Sequence, residues 1–299
     1  MRETAQSDVG AISRLLLKHP REAFRDAASI AQQWRPLNFT APPDLARAIA
    51  EYDRFVEALR QCGATVDFLP VTDTTGLDSI YVRDASVVCD RGAILCRMGK
   101  PAREGEPAAQ ETALTSLGYP IVGAISPPGR LEGGDVVWLD CRTIAVGRGY
   151  RTNDEGIAQF RRLLGDSIDE LIAVPLPHWR GPGDVFHLMS IISPIDDDLA
   201  VVYSPLMPVA FRELLLARGT TLVEVPGEEF DSMGANVLAT APRRCLMLKG
   251  NSTTRQRLEK AGADVVEYEG ANISIKGGGG PTCLTRPLRR IDSRRNLRQ

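Results

Sequence analysis

The chain repeats itself, and the repeat limits what it can fold into. After Asp84 come the apolar ASVVC, the turn-like DRG, the apolar AILC, a polar stretch, PAAQETALTSL with helical spacing, and PIVGAI. Periodicity reads this as strand, turn, strand, helix, strand. After Asp135 the order returns as VVWL, DCR, TIAV, a helix over 154–164 and ELIAV. After His187 it is MSIIS, PIDDD, LAVVY, a helix over 208–218 and TLVEV, and after Asn236 it is VLATA, PRR, CLMLK, a helix over 253–261 and DVVEY. With Cys283 as a fifth marker, the starting residues recur about every 50 positions, near the upper end of the periods that signal propellers or arrays. One such unit cannot bury its own apolar faces, so the copies must pack on one another.

The fifth unit starts at Cys283 and the chain ends before its helix. The missing parts stand at the other end, where PDLARAIAEYDRFVEALRQCG has the pattern of an amphipathic helix and ATVDFLPV that of a strand. Closing the ring with this N-terminal segment leaves no bare sheet edge.

Composition excludes several function classes. The 299 residues are 43% hydrophobic with a formal net charge of -2, ordinary for a globular protein of one domain or two, and the closed ring makes 1–299 a single expected domain without the concentrated basic surface of a nucleic-acid binder. The basic run 286–298 reads as a solvated tail, loose over 289–299. No apolar run approaches the roughly 20 residues that span a bilayer, and the start MRETAQSDVG is polar, so the expectation is a cytoplasmic protein without a membrane partner. Six cysteines, Cys62, Cys89, Cys96, Cys141, Cys245 and Cys283, lack paired spacing and read as reduced thiols. C-x-x-C, H-E-x-x-H and G-x-x-x-x-G-K-[ST] are all missing, so no metal and no nucleotide cofactor is expected.

In a ring with pseudo-symmetry, equivalent positions converge on the axis. Asp78, Asp84, Glu132, Asp135, His187 and Cys283 are therefore expected around one cavity, with IKGGGGPTC beside it and its glycines allowing a ligand to come close. Crowded carboxylates raise one another's pKa unless a cation joins them, so the expected ligand is positive. A planar guanidinium matches carboxylates in bidentate fashion. Attack of a Cys283 thiolate on the guanidino carbon would give a tetrahedral adduct, with His187 protonating the departing amine and then activating water. Glu132 suits the orienting of His187, of one end of the guanidino group, or of both. Each residue also has a plainer reading. Cys283 and His187 could be core residues, LEGGD only a turn, Asp78 and Asp84 members of ion pairs, and Arg151 a surface charge before a helix that TND caps.

DSIYVRD (78–84), LEGGD (131–135), RTNDEG (151–156), FHL (186–188), GAN (234–236) and GGGGPTC (277–283) stand in the order found in the pentein superfamily of guanidine-modifying enzymes. The set most resembles the dimethylarginine dimethylaminohydrolases and their arginine-deiminase relatives. The resemblance implies a five-bladed α/β propeller and no metal. By position it implies Cys283 as nucleophile, His187 as general acid/base with Glu132 beside it, and Asp78 and Asp84 holding the guanidinium. It also implies Arg151 on the substrate's α-carboxylate, with Arg103 as a helper. Two positions depart from the pattern: Arg83 stands where the dimethylargininases carry an acid, and Met189 where the deiminases carry a second guanidinium-holding Asp. The expected activity is hydrolysis of arginine or an N-methylated arginine to a ureido product and an amine or ammonia. An amidinotransferase, a deiminase-type activity and a non-catalytic binder are the alternatives, and a homodimer is a possible assembly.

Overall fold

The computed structural model describes residues 2–292. Its N-terminal part comprises β1 (Arg2–Thr4), β2 (Ala11–Leu17), the short helices α1 (Pro20–Ala23) and α2 (Ala27–Gln33), the long α3 (Leu45–Gln61) and β3 (Thr65–Phe68). Three-stranded units follow. The first holds β4 (Ser86–Cys89), β5 (Gly92–Leu95), α4 (Glu106–Ser116) and β6 (Ile121–Ala124). The second holds β7 (Val136–Trp138), β8 (Thr143–Arg148), α5 (Asp154–Leu164) and β9 (Glu170–Pro175). The third holds β10 (Ile192–Asp196), β11 (Leu199–Val202), α6 (Val209–Ala217) and β12 (Thr221–Glu224). The fourth holds β13 (Val237–Ala241), β14 (Arg244–Leu248), α7 (Ser252–Lys260) and β15 (Asp264–Tyr268), and β16 (Arg286–Asp292) ends the described chain.

Each unit is its own small sheet, the first strand antiparallel to the second and the second parallel to the third across the helix. The fifth sheet has the order β1-β16-β2-β3, with β16 antiparallel to β2 and β2 parallel to β3. It repeats the pattern of the others with strands from both ends of the chain, so the ring closes as a five-bladed α/β propeller. Local signals place the helices. Asp44 caps α3 by accepting the Arg47 N–H, Asn153 caps α5 by accepting that of Gly156, and α5 buries Ile157, Phe160 and Leu164 along one stripe.

Alternate residues of one strand serve different blade contacts. Val87 packs with Val136, Ile144 and Phe160 of the second blade, while its neighbour Val88 packs with Leu16 and Leu288 of the fifth. Further clusters join Val137 to Ile192, Ile195 to Val237, and Leu238 to Leu15. Each of these clusters bridges two adjacent blades, so the apolar stabilisation is distributed around the ring. The axis is left to polar groups.

One expectation fails here. The basic run read as a tail from 286 enters the fold as β16, where Arg286 and Arg290 are buried and Arg289 is exposed. Arg290 Nη1 donates to the carbonyls of Gly10 (2.6 Å) and Ala239 (2.8 Å), and Arg286 donates to the Arg83 carbonyl. Backbone acceptors on the axis hold charges that the one-dimensional pattern assigns to water. The remainder of the expected tail, 293–299, lies outside the described residues.

Candidate active site

The loops that precede the first strands converge at one end of the axis. Gly133–Asp135 forms a tight turn running into β7, and the Gly133 N–H donates to the Asp84 carbonyl at 2.9 Å. Both glycines of this turn are required by space. A Cβ on Gly133 would run into the Arg83 carbonyl, and one on Gly134 would sit 2.5 Å from His187 Nδ1 and 2.8 Å from Asp84 Oδ1. The turn thereby packs Asp84 and His187 against a bare backbone.

Glu132 is fully buried. Its Oε2 accepts from His187 Nε2 at 2.6 Å, its Oε1 accepts the Gly99 and Lys100 N–H groups at 2.8 and 3.2 Å, and Arg151 Nη1 lies 3.4 Å away. Burial alone would raise the pKa of this carboxyl; the bond and charge of His187, then Arg151, hold it well below the ordinary range. Burial likewise opposes charge on His187, but the carboxylates of Asp84, Asp135 and Glu132 outweigh it and push the imidazole up to about 9. The surrounding carboxylates thus favour the protonated ring.

Asp84 sits between cations. Its Oδ2 accepts from Arg103 Nη1 at 2.5 Å, and its Oδ1 lies 3.9 Å from His187 Nδ1, buried and without a hydrogen-bond partner. Such an oxygen is an acceptor in waiting. Cys283 and His187 line one cavity of about 390 Å³, together with Asn236, Met189, Phe186, Trp179, Phe230, Gly277 and Gly278. Burial and the Asp84 carboxylate raise the Cys283 thiol above its ordinary pKa, while bonds from Thr282, Asn236 and the Gly280 backbone pull the other way.

The remaining expected residues divide. Asp78 is buried and its Oδ2 is taken by Lys100 Nζ at 2.6 Å, the ion-pair reading. Asp135 stands away from the cavity, against expectation: its oxygens accept the Leu188 N–H (3.0 Å) and the Thr152 hydroxyl (2.6 Å), so it anchors the His187 loop. Burial pushes it up to about 6. Arg103 is also sealed off, with Asp84, Glu106 and the Tyr81 carbonyl taking its guanidinium, so in this structure it holds Asp84 in place and reaches no cavity. Arg151 is 4% exposed behind Glu132 and donates to the Asp184 carbonyl at 3.1 Å.

Asp84, Glu132 and His187 offer atoms within 4.8 Å of one another, close enough to surround a cation. Glu132 is bonded to His187 Nε2 and to the Gly99 and Lys100 N–H groups, and Asp84 Oδ2 to Arg103, which leaves Asp84 Oδ1 as the unpartnered oxygen.

Sequence reasoning missed Lys100 and Glu106. Glu106 carried a signal, standing three residues after Arg103, within i,i+3 reach. Lys100 carried none, since it meets Asp78 across a loop.

The comparisons with known proteins meet this geometry. The family described as "N,N dimethylarginine dimethylhydrolase, eukaryotic" matches residues 27–290. The chain belongs to the dimethylarginine dimethylaminohydrolase family. A family member from Streptomyces coelicolor, named N(G),N(G)-dimethylarginine dimethylaminohydrolase, is 32% identical over 83% of this chain and 88% of its own. The Pseudomonas aeruginosa enzyme solved with citrulline superposes with a TM-score of 0.75 at 23% identity, over 93% of this chain and 99% of that one. An amidinotransferase from Microseira wollei superposes at 0.78 with 16% identity, over 97% and 98% of the two chains. Such likenesses at low identity establish the pentein fold, and the family match makes the chain a hydrolase of the C–N bonds of linear amidines. Among the described residues no helix is long and apolar enough to cross a membrane.

Proposed function

We propose that the chain hydrolyses the guanidino group of arginine or an N-methylated arginine through a covalent adduct on Cys283. The observation that carries the reading is the buried His187 ring, bonded to Glu132 at 2.6 Å and lining the same cavity as Cys283. The unpartnered Asp84 Oδ1 receives guanidinium N–H groups. A bound cation there offsets the carboxylate charge that disfavours the thiolate, so substrate arrival promotes ionisation of the nucleophile. Sulphur attacks the guanidino carbon to give a tetrahedral adduct. His187 passes a ring proton to the departing nitrogen, the C–N bond breaks, and an S-linked thiouronium remains. The imidazole, now neutral, takes a proton from water. The hydroxide adds to the thiouronium carbon, the C–S bond breaks, the hydroxyl proton passes to the released amine or solvent, and the ureido product leaves a thiolate and a protonated His187, as at the start.

The test is a panel of arginine, methylated arginines, agmatine and guanidino acids, read by mass spectrometry for ureido product and released amine, with the native chain and Cys283→Ser. Product from the native chain alone is expected. Turnover that survives Cys283→Ser removes Cys283 as nucleophile, and product only when an amine acceptor is added makes the chain a transferase.

A further inference from the structure

The reaction needs sulphur to carry a negative charge at a buried site beside Asp84, and something must compensate that charge before a tetrahedral adduct exists. His187 and Lys276 line the cavity of Cys283, while the Tyr81 and Tyr268 hydroxyls are bonded to the Ile273 carbonyl and Ser274. Lys276 is bound to the Pro42 carbonyl (3.0 Å) and Asn272 (2.8 Å), and His187 is committed to Glu132. Closer in, Asn236 Nδ2 lies 3.4 Å from Cys283 Sγ, with the Thr282 hydroxyl further off at 3.9 Å.

The direction of the Asn236 amide is decided by its other end. Its Oδ1 meets the Thr282 backbone N–H at 3.1 Å and the Thr282 hydroxyl at 2.8 Å. A backbone N–H can only donate, so the atom facing it is the oxygen and the atom facing sulphur is the NH₂. The surroundings fix this side chain further. Asn236 is 8% exposed, its N–H reaches back to the carbonyl of Met233, which is itself held at a φ of 63°, and a Cβ on Gly280 would sit 2.5 Å from Asn236 Oδ1. One glycine of the run before the nucleophile is thus required by Asn236, and Thr282, adjacent to Cys283 in sequence, aims the amide. Building a donor this rigidly against a sulphur has an electrostatic consequence: an N–H bond to the charged form favours that form.

We infer that Asn236 is a catalytic residue of this site, its Nδ2–H group stabilising the Cys283 thiolate in the attack on the guanidino carbon. The inference rests on Cys283 as nucleophile, and its test reads the thiol directly.

The rate of Cys283 alkylation by iodoacetamide is measured against pH, with Cys283→Ser as the background for the other cysteines. Asn236→Asp keeps the shape and both Thr282 bonds and replaces the donor by an anion. The alkylation midpoint is expected to rise by at least about one pH unit, since a charge-assisted bond of about 1.5 kcal/mol or more corresponds to that shift. The rate of adduct formation at pH 7 should fall about tenfold or more. Asn236→Ala removes the donor without adding an anion; it should raise the midpoint by a smaller step and covers the case in which Asn236→Asp does not fold. An unchanged midpoint in the folded variants overturns the inference. Turnover by Cys283→Ser would instead overturn the nucleophile assignment, whatever the midpoint does.

Discussion

Glu132→Gln isolates the charge that keeps His187 protonated. The substituted side chain has the same shape, and its oxygen must stay on the Gly99 and Lys100 N–H groups because those can only donate. Its NH₂ then faces His187 Nε2, where the carboxylate Oε2 now accepts at 2.6 Å. The ring must accept at that nitrogen, and accepting favours the neutral imidazole. A charge-assisted bond contributes about 1.5 to 3 kcal/mol, roughly one to two pKa units, so the imidazole should fall from about 9 to roughly 7–8. Titration of ¹⁵N-labelled imidazole by NMR measures this, with His19 and His178 as internal references. The descending limb of adduct formation should move down by the same amount. Stability follows by linkage. A folded pKa raised above 6.5 stabilises fully below pH 6.5 and the contribution is lost as pH rises through about 9, so the gap in melting temperature between native chain and variant should narrow across that window. A His187 midpoint within a few tenths of the native value would refute the argument.

Two further substitutions test the packing of the site. Gly134→Ala places a methyl 2.5 Å from His187 Nδ1 and 2.8 Å from Asp84 Oδ1, so kcat should fall at least about tenfold even where thermal melting shows a folded protein. Arg103→Met leaves Asp84 Oδ2 and both Glu106 oxygens without their cation in a buried site, and chemical denaturation should register a loss of about 3–5 kcal/mol.

The repeat was legible because its period survives in the order of strands and helices. The predicted helix over 154–164 is α5 to the residue, and the fifth blade could be assembled from both ends of the chain by noting which parts were missing. The convergence of Asp84, Glu132 and His187 followed from pseudo-symmetry alone. What could not be read was which face of an inward residue is free. Asp135 occupies a marker position yet spends both oxygens on Thr152 and Leu188, and Arg103 spends its guanidinium on Asp84 and Glu106. Partners of that kind are set by three-dimensional contact between loops. The glycine run shows the same limit: Gly277 and Gly279 lie against the ring of Tyr81, Gly280 against Asn236, and the close approach they allow is to protein as well as to the cavity. Arg286 and Arg290 of β16 escape a reading by charge pattern because their acceptors are backbone carbonyls, which leave no trace in one.

The two departures from the family pattern have different consequences for specificity. Arg83 turns away from the cavity and pairs with Asp8 at 2.7 Å, and Asp8 also accepts the Trp138 N–H at 2.8 Å. The N-terminal loop absorbs that substitution, so it leaves the cavity's charges as they are. Met189 does line the cavity, two residues after His187, and its thioether offers only a weak acceptor. Asp184 and Asp231 also line this cavity, toward Trp179 and Arg180, while the unpartnered Asp84 Oδ1 lies buried near His187 Nδ1, so position 189 holds a thioether and no anion. Met189→Asp adds one. Its effect should appear as a change in relative kcat/KM, raising arginine against dimethylarginine by about tenfold, the worth of one further charge-assisted bond of about 1.5 kcal/mol. Because burial penalises the new carboxylate, the gain should be greatest above pH 7, where the group is ionised. A ratio that stays constant across pH in a folded Met189→Asp protein would show that residue 189 does not meet the guanidino group.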